Sequence, residues 1–289
     1  MKYAWIQHHA QEFPVAAMCE VLSVSRGGYY AWHKRPACAR QIRREALMVQ
    51  IRQVHTQNRG VYGSPRIHRE LLANDVQVSQ NTVAKLMTQA GLRAKTFRKF
   101  VVRTTDSNHC HPVAENLLDQ HFATELPNQT WCCDITYIPT DEGWLYLAAV
   151  LDLCSRKIVG WAMADHLRAE LCTRALAMAL VRRKPEAGNG GGLHHSDRGV
   201  QYACGAYQDL LMENDMTCSM SRRGNCYDNA AMESFFGSLK TELVHHEHYA
   251  TRDAAKRSLF EYIEVFYNRK RRHSALGYQS PEAFEAGLN

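Results

Sequence analysis

Three apolar segments, TWCCDITYIP (130–139), EGWLYLAAVLD (142–152) and KIVGWAMA (157–164), follow one another with only a few polar residues between them. Such gaps close antiparallel turns and are far too short for the crossover that parallel neighbours need. After them the texture alternates. RAELCTRALAMALVRR (168–183) has the pattern of an amphipathic helix, GNGGG reads as a loop and LHHSD as a fourth strand; AYQDLLMEND continues as helix, TCSMS as a fifth strand and NAAMESFFGSLKTELV (229–244) as a long helix. This order predicts an α/β fold in which helices cover a mixed sheet.

The 289-residue chain is 45% apolar, enough for one sizeable core with small appended units. Its net charge of +6 conceals an uneven distribution: residues 1–110 hold 17 Lys and Arg against 6 Asp and Glu, whereas residues 111–289 hold 18 against 23. A basic first third suits a phosphate-binding unit joined to a separate body. Two helix-turn-helix patterns are legible there, making the N-terminal region all-α. Residues 14–34 read as a short apolar helix, an SVSR link and a second helix begun near Ser25. In residues 62–94, Ser64 is expected to cap a helix with Pro65 in its first turn, and Ser79 to cap the next. Val83, Leu86, Met87 and Ala90 recur at helical spacing and face the core, which turns Gln80, Asn81, Thr82 and Lys85 outward at the start of that helix. Such side chains reach base edges and phosphates when a helix enters a major groove. The four are candidate DNA contacts, although the same pattern also suits a hairpin that only packs.

Other classes are excluded by composition. The apolar run WLYLAAVL ends at Asp152 and is too short to span a bilayer, and the amino terminus shows no secretory signal; a cytoplasmic protein without membrane contact is expected. Ten cysteines stand singly or as the adjacent Cys132 and Cys133, so reduced thiols are expected. His109, Cys110 and His111 fall in an irregular stretch where neighbouring side chains point to opposite sides, which argues for a metal-free linker.

Asp134 interrupts an otherwise apolar strand, where an unpaired carboxylate costs several kcal/mol. Asp197 stands just past the fourth strand and Glu233 one turn into the last long helix, so a mixed sheet can bring all three to one edge. Each also suits a plainer role: a turn for Asp197, a solvated helix face for Glu233, an arginine pair for Asp134. Hard oxygen donors without paired His or Cys favour magnesium or manganese over zinc. Asp228 or Asn229 is expected to cap the helix that carries Glu233, Asp152 to accept hydrogen bonds in a turn, and YNRKRRH (267–273) either to meet DNA or to form a solvated helix end.

The stretches WCCDITYI, GWLYLAAVLDLCSRKIVGW, HHSDRGVQY, RRGNCYDNAAMESFFGSLKTE and YNRKRRHSALGYQSPEAF cover most of residues 130–284. They resemble the bacterial insertion-sequence transposases whose catalytic domain is similar to retroviral integrase, and the 35 residues between Asp197 and Glu233 match that family's acid spacing. The resemblance implies a ribonuclease-H-like core that cuts and joins DNA strands. It implies Asp134, Asp197 and Glu233 as catalytic, metal-binding acids for two Mg2+ or Mn2+ ions, and Lys240 as a DNA-binding cation seven residues beyond Glu233. It further implies element-end and target DNA as partners, a homo-oligomer on DNA, and either a small upstream-frame protein or fusion to it. The family's integrase relatives carry a zinc module before the core; here helix-turn-helix units stand in its place. The expected divisions are residues 1–45 and 46–105 for the two helix-turn-helix units, 106–122 for a linker, 123–245 for the catalytic core and 246–289 for a helical extension. A DNA-binding regulator and a nuclease that cuts without joining are the competing readings.

Overall fold

A computed structural model of the chain describes residues 1–36, 38–96, 113–120, 122, 124–183, 192–222 and 226–288. The stretch from His109 to His111 lies outside them. Helices α1 (Lys2–His8), α2 (Val15–Val21) and α3 (Arg26–Lys34) close a small core around Ile6, Met18, Cys19 and Tyr29. Ser25 caps α3, its hydroxyl accepting from Gly28 N at 2.9 Å. A second unit follows in α4 (Ala39–Gln57), α5 (Ser64–Ala73) and α6 (Gln80–Gln89), with α4 unbroken and packed on both of the others. Ser79 caps α6 through Thr82 N, as its position suggests. Ser64 does not cap α5: Ile67 N donates to the Gly63 carbonyl, which makes Gly63 the capping position and draws Ser64 into the helix.

The sheet contains β1 (Thr130–Ile138), β2 (Leu145–Asp152), β3 (Ile158–Ala164), β4 (Leu193–Ser196) and β5 (Thr217–Met220), in the order β3-β2-β1-β4-β5. The first three strands pair antiparallel, and β4 and β5 add in parallel, as the short gaps and the intervening helices require. This is the mixed, ribonuclease-H-like sheet expected. One face packs against α7 (Ala169–Arg183), α8 (Val200–Ala203) and α9 (Gly205–Glu213). There α7 approaches β3 so closely that a Cβ on Gly160 would stand 2.2 Å from the Ala175 carbonyl oxygen, so only glycine fits. Asp152 accepts from Asn128 N, Ser155 N and Ser155 Oγ, the turn role read from its place.

The other face is covered by α10 (Ala230–Glu242) and by α11 (Arg252–Phe260) with its π-helical continuation Glu261–Tyr267, while Glu285 of α12 (Pro281–Ala286) pairs with Lys157 before β3 and Arg183 at the end of α7. This layer does not close its core alone. Leu47, Ile51, Ile67, Leu71 and Leu86 of the second helical unit join one buried cluster with Phe235, Leu239, Ile263 and Phe266. Polar contacts accompany the joint: Arg272 pairs with Glu70, Arg272 N donates to Tyr62 Oη at 2.9 Å, and Arg59 pairs with Glu261.

At the centre of the joint Arg271 is 5% exposed and grips Glu242, itself 7% exposed, with Nη2 to Oε1 at 2.6 Å and Nε to Oε2 at 2.8 Å. Tyr262 Oη donates to the same carboxylate at 2.7 Å. Burial alone would depress the guanidinium's pKa, but the hydrogen bonds and charge of Glu242 hold it above the ordinary value. The reading of YNRKRRH as a DNA-contacting or solvated end is therefore corrected: Arg269 and Lys270 are exposed, while Arg271 turns inward and Arg272 is half-buried against Glu70.

Replacing only one member of a buried pair leaves a lone buried charge, so Arg271→Ala is expected to lower stability by roughly 3–5 kcal/mol. The double variant Arg271→Met, Glu242→Gln should lose less, and urea unfolding of both proteins checks the order. Acid should also weaken the fold. Burial, then neighbouring His195, pushes His194 down to about 3; burial, then Arg271 and Arg66, pushes His273 down to about 2. Below the ordinary value of 6.5 the unfolded chain takes up both protons and the folded chain does not, so stability falls with falling pH. By pH 5 the expected loss is on the order of 2 kcal/mol per histidine, and His273→Asn should remove about one proton from the measured slope.

Candidate active site

The register of the sheet aligns two of the three acids. Cys132 on β1 lies opposite His195 on β4, and these strands run parallel. Asp134 is two residues beyond Cys132 and Asp197 two beyond His195, so both stand level at the carboxyl end of β4, the side on which open α/β sheets gather their ligands. The segment carrying Asp197 is braced on both sides. His195 shares hydrogen bonds with Ser219 and Ser221 at 2.9 and 3.1 Å, and Arg198 Nε donates to the Ser221 carbonyl at 2.6 Å. Gly199 N donates to Asp197 Oδ1 at 2.9 Å, with the glycine's missing side chain leaving room for that approach. The Asp-Arg-Gly triplet thus holds an acid at a strand end: the arginine ties the turn to β5 and the glycine admits the carboxylate.

Glu233 arrives on α10. That helix buries Met232, Phe235, Phe236 and Leu239 and leaves Glu233 exposed in its first turn. Neither Asp228 nor Asn229 caps it with a side chain. Asn229 is instead buried and donates to the Cys133 carbonyl at 3.1 Å, fastening the helix start to β1 beside Asp134. Asp228 is buried and accepts from Arg222 Nη2 and N, Asn116 and Gln120 at 2.9–3.1 Å, with the Arg222 hydrogen bonds foremost in pulling its pKa down to about 2. Asn229 does stand at the capping position of α10, but its amide nitrogen is turned to Cys133 and its oxygen makes no bond to the helix. Lys240 lies two helical turns past Glu233 on nearly the same side, about 10 Å along the axis.

Electrostatics joins these groups. Burial is first among the causes that raise the half-buried Asp134 carboxyl well above the usual range, and the Asp197 carboxylate is next. A hydrogen bond from Ile135 N at 2.8 Å opposes the rise, Glu233 adds to it and Lys240 offsets part of it. The Lys240 ammonium is itself depressed by burial and supported by Asp134. Among the described residues, however, no group of three His, Cys, Asp or Glu side chains is gathered closely enough to hold a metal ion. Asp197 and Glu233 nevertheless both act on the Asp134 carboxyl through their charges.

On α6, Gln80, Asn81, Thr82 and Lys85 are all exposed along its first turns, while Val83, Leu86 and Met87 are buried; Ala90 is only half-buried at the helix end. Cys19, Cys38, Cys132, Cys133, Cys154, Cys172, Cys204 and Cys218 are free thiols. No described helix is long and apolar enough to cross a membrane. Sequence reasoning missed Asn229 and Asp228 as braces, and missed Arg271 and Glu242. The one available signal for the latter was a glutamate within the apolar spacing of its helix.

Comparison with known proteins agrees with this anatomy. The Integrase core domain family matches residues 124–226, a second Integrase core domain family matches 233–287, and the HTH-like domain family matches 42–100. The chain is 46% identical over 287 residues to the transposase InsF for insertion sequence IS3A of Escherichia coli K12, covering 99% of this chain and 98% of that protein. It is 47% identical over 267 residues to an uncharacterized 31 kDa protein of insertion element IS600 from Shigella sonnei, covering 92% of this chain and 97% of the other. A chain of the simian T-cell lymphotropic virus intasome bound to a PP2A regulatory subunit aligns over 81% of this chain and 73% of its own, at 13% identity and a TM-score of 0.47. With its helix-turn-helix unit, its integrase core and near-complete correspondence to InsF, the chain belongs to the insertion-sequence transposases.

Proposed function

We propose that the protein cuts DNA at the ends of an insertion element and joins the freed ends to new DNA, with Asp134, Asp197 and Glu233 as the catalytic acids. The observation that carries this reading is the strand register that sets Asp134 and Asp197 side by side, with the charges of Asp197, Glu233 and Lys240 all acting on the Asp134 carboxyl. The donor set suits a hard divalent cation: three carboxylates, one of them held up by burial and by the charges of the other two. Bound magnesium or manganese, two ions on this reading, would draw the acids together, ease deprotonation of the attacking oxygen and stabilise the leaving oxygen.

The chain's own residues do the positioning. The sheet presents Asp134 and Asp197 side by side, Asn229 fastens the start of α10 so that Glu233 faces them, and Lys240 holds a phosphate oxygen next to the acids. Attack by water breaks one phosphodiester bond and nicks the strand. Attack by a freed 3′-hydroxyl forms one phosphodiester as another breaks, so joining needs neither ATP nor a protein-bound intermediate. On α6, Gln80, Asn81, Thr82 and Lys85 meet the recognised DNA. Bringing two ends together calls for at least two copies, and an upstream-frame protein or fusion supplies further end recognition on this reading.

A labelled element end incubated with magnesium separates the alternatives. Strand-transfer products support this proposal, cleavage alone indicates a nuclease, and retention without reaction indicates a regulator. Asp134→Asn, Asp197→Asn and Glu233→Gln are each expected to lower cleavage by roughly a thousandfold or more while DNA binding persists; near-normal cleavage by any one of them removes it from the site. For α6, Lys85→Ala should weaken binding and take about one from the slope of log affinity against log salt. An unaltered slope would remove Lys85 from the phosphate contacts. Point changes serve better than deleting the second helical unit, since its core is shared with the C-terminal layer.

A further inference from the structure

The β1–β2 hairpin carries an aromatic pair with no part in the chemistry above: Tyr137 near the end of β1 and Trp144 just before β2. Trp144 keeps 48% of its surface exposed. The Tyr137 ring stands edge-on to it, with centroids 4.8 Å apart and planes at 83°. Lys240 Nζ lies 4.6 Å from the centre of the Tyr137 ring. Because this ammonium is also the one that interacts with Asp134, the aromatic pair borders the candidate acids.

The indole is presented on a built turn. Gly143 N donates to the Thr140 carbonyl at 3.0 Å, Thr140 Oγ1 donates back to the Gly143 carbonyl at 2.6 Å, and Gly143 takes a φ of +99°, which favours glycine. The segment leading into α11 holds the turn from outside: Asp141 N donates to the Tyr249 carbonyl at 3.0 Å, and Arg252 Nε donates to the Trp144 carbonyl at 3.1 Å. A large ring is thus carried on a fixed turn, half open to solvent, with Arg252 at its backbone and Lys240 against the neighbouring Tyr137 ring. A single exposed apolar side chain needs no explanation, but this arrangement has the parts that proteins use to hold an unstacked base: an aromatic face for the ring and cations for the flanking phosphates. A base inside a duplex has both faces covered by its neighbours, so the platform suits a base with a free face, as an unpaired base at a strand end has.

We propose that Trp144, set edge-on to Tyr137 with Arg252 at its backbone and Lys240 on the Tyr137 ring, stacks against an unpaired nucleobase at the DNA end, beside the phosphate to be cut. The assignment of that phosphate rests on the proposed catalytic acids; the stacking itself does not. The full-length protein is therefore mixed, in chelator so that no cutting intervenes, with a duplex whose unpaired terminal nucleotide is the fluorescent base 2-aminopurine. Stacking is expected to quench it. Trp144→Ala should abolish the quenching and weaken binding of this probe by roughly five- to a hundredfold, with a blunt duplex bound as before, and Trp144→Phe should keep most of both.

Absence of quenching with the unaltered protein, or equal quenching with a Trp144→Ala protein whose unfolding midpoint is unchanged, overturns the proposal. So does a change in the molar mass of the free protein on Trp144→Ala, which would assign the indole to a contact between copies. Asp134→Asn separates the two readings: it should retain the quenching while losing cleavage. Normal cleavage by that variant refutes the acid assignment and leaves the stacking platform standing.

Discussion

The buried pair of Glu242 and Arg271 is the contact on which the arrangement of the rest depends. Two charges withdrawn from water are tolerated only when each is fully partnered, and this pair is: two guanidinium nitrogens and the Tyr262 hydroxyl reach the carboxylate, while Arg271 also meets Ser238 at 3.2 Å. The geometry admits one register between α10 and the C-terminal layer, and a slip of either would strand a charge in the core. Arg66 of α5 adds a more distant cation at 3.8 Å from the same carboxylate, so the helical unit ahead of the sheet takes part as well.

Seen from α10, polar contacts hold both ends of one helix. Asn229 fastens its start to β1, and Glu242 fastens its finish to the segment after the π-helical turn. Between these anchors the apolar side chains pack inward, while Glu233 and Lys240 remain on the accessible side. On the proposed reading Glu233 is the third acid of the site, and a site built that way needs its helix aimed to within a fraction of an ångström. Anchoring it at both ends, to two different parts of the molecule, meets that need without loading the acid itself with structural bonds.

Much of this was legible in the sequence, for definite reasons. Short polar gaps between apolar runs dictated the antiparallel trio, and intervening helices dictated the parallel additions, because both follow from chain reach. Asp134 stood out as a carboxylate within an apolar strand, and its position beside Asp197 follows from strand register. Residues whose partners lie far away in the chain were not legible. Nothing local distinguishes Arg271 from Arg269, although one is buried and the other exposed. Asn229 and Asp228 looked like caps because local spacing is all that a sequence displays, whereas their hydrogen bonds go to Cys133 and to Asn116, Gln120 and Arg222. The core shared by the second helical unit and the C-terminal layer was hidden for the same reason.

That shared core has a consequence for the order in which the molecule matures. Translation delivers Glu242 to the tunnel exit 29 residues ahead of Arg271, and the early helical unit must wait for Ile263 and Phe266 before its oily side is sealed. A nascent chain halted part-way would therefore expose a sticky flank and a solitary anion at the tail of its key helix. The joint can close only once Arg271 has emerged, long after the early helices are made.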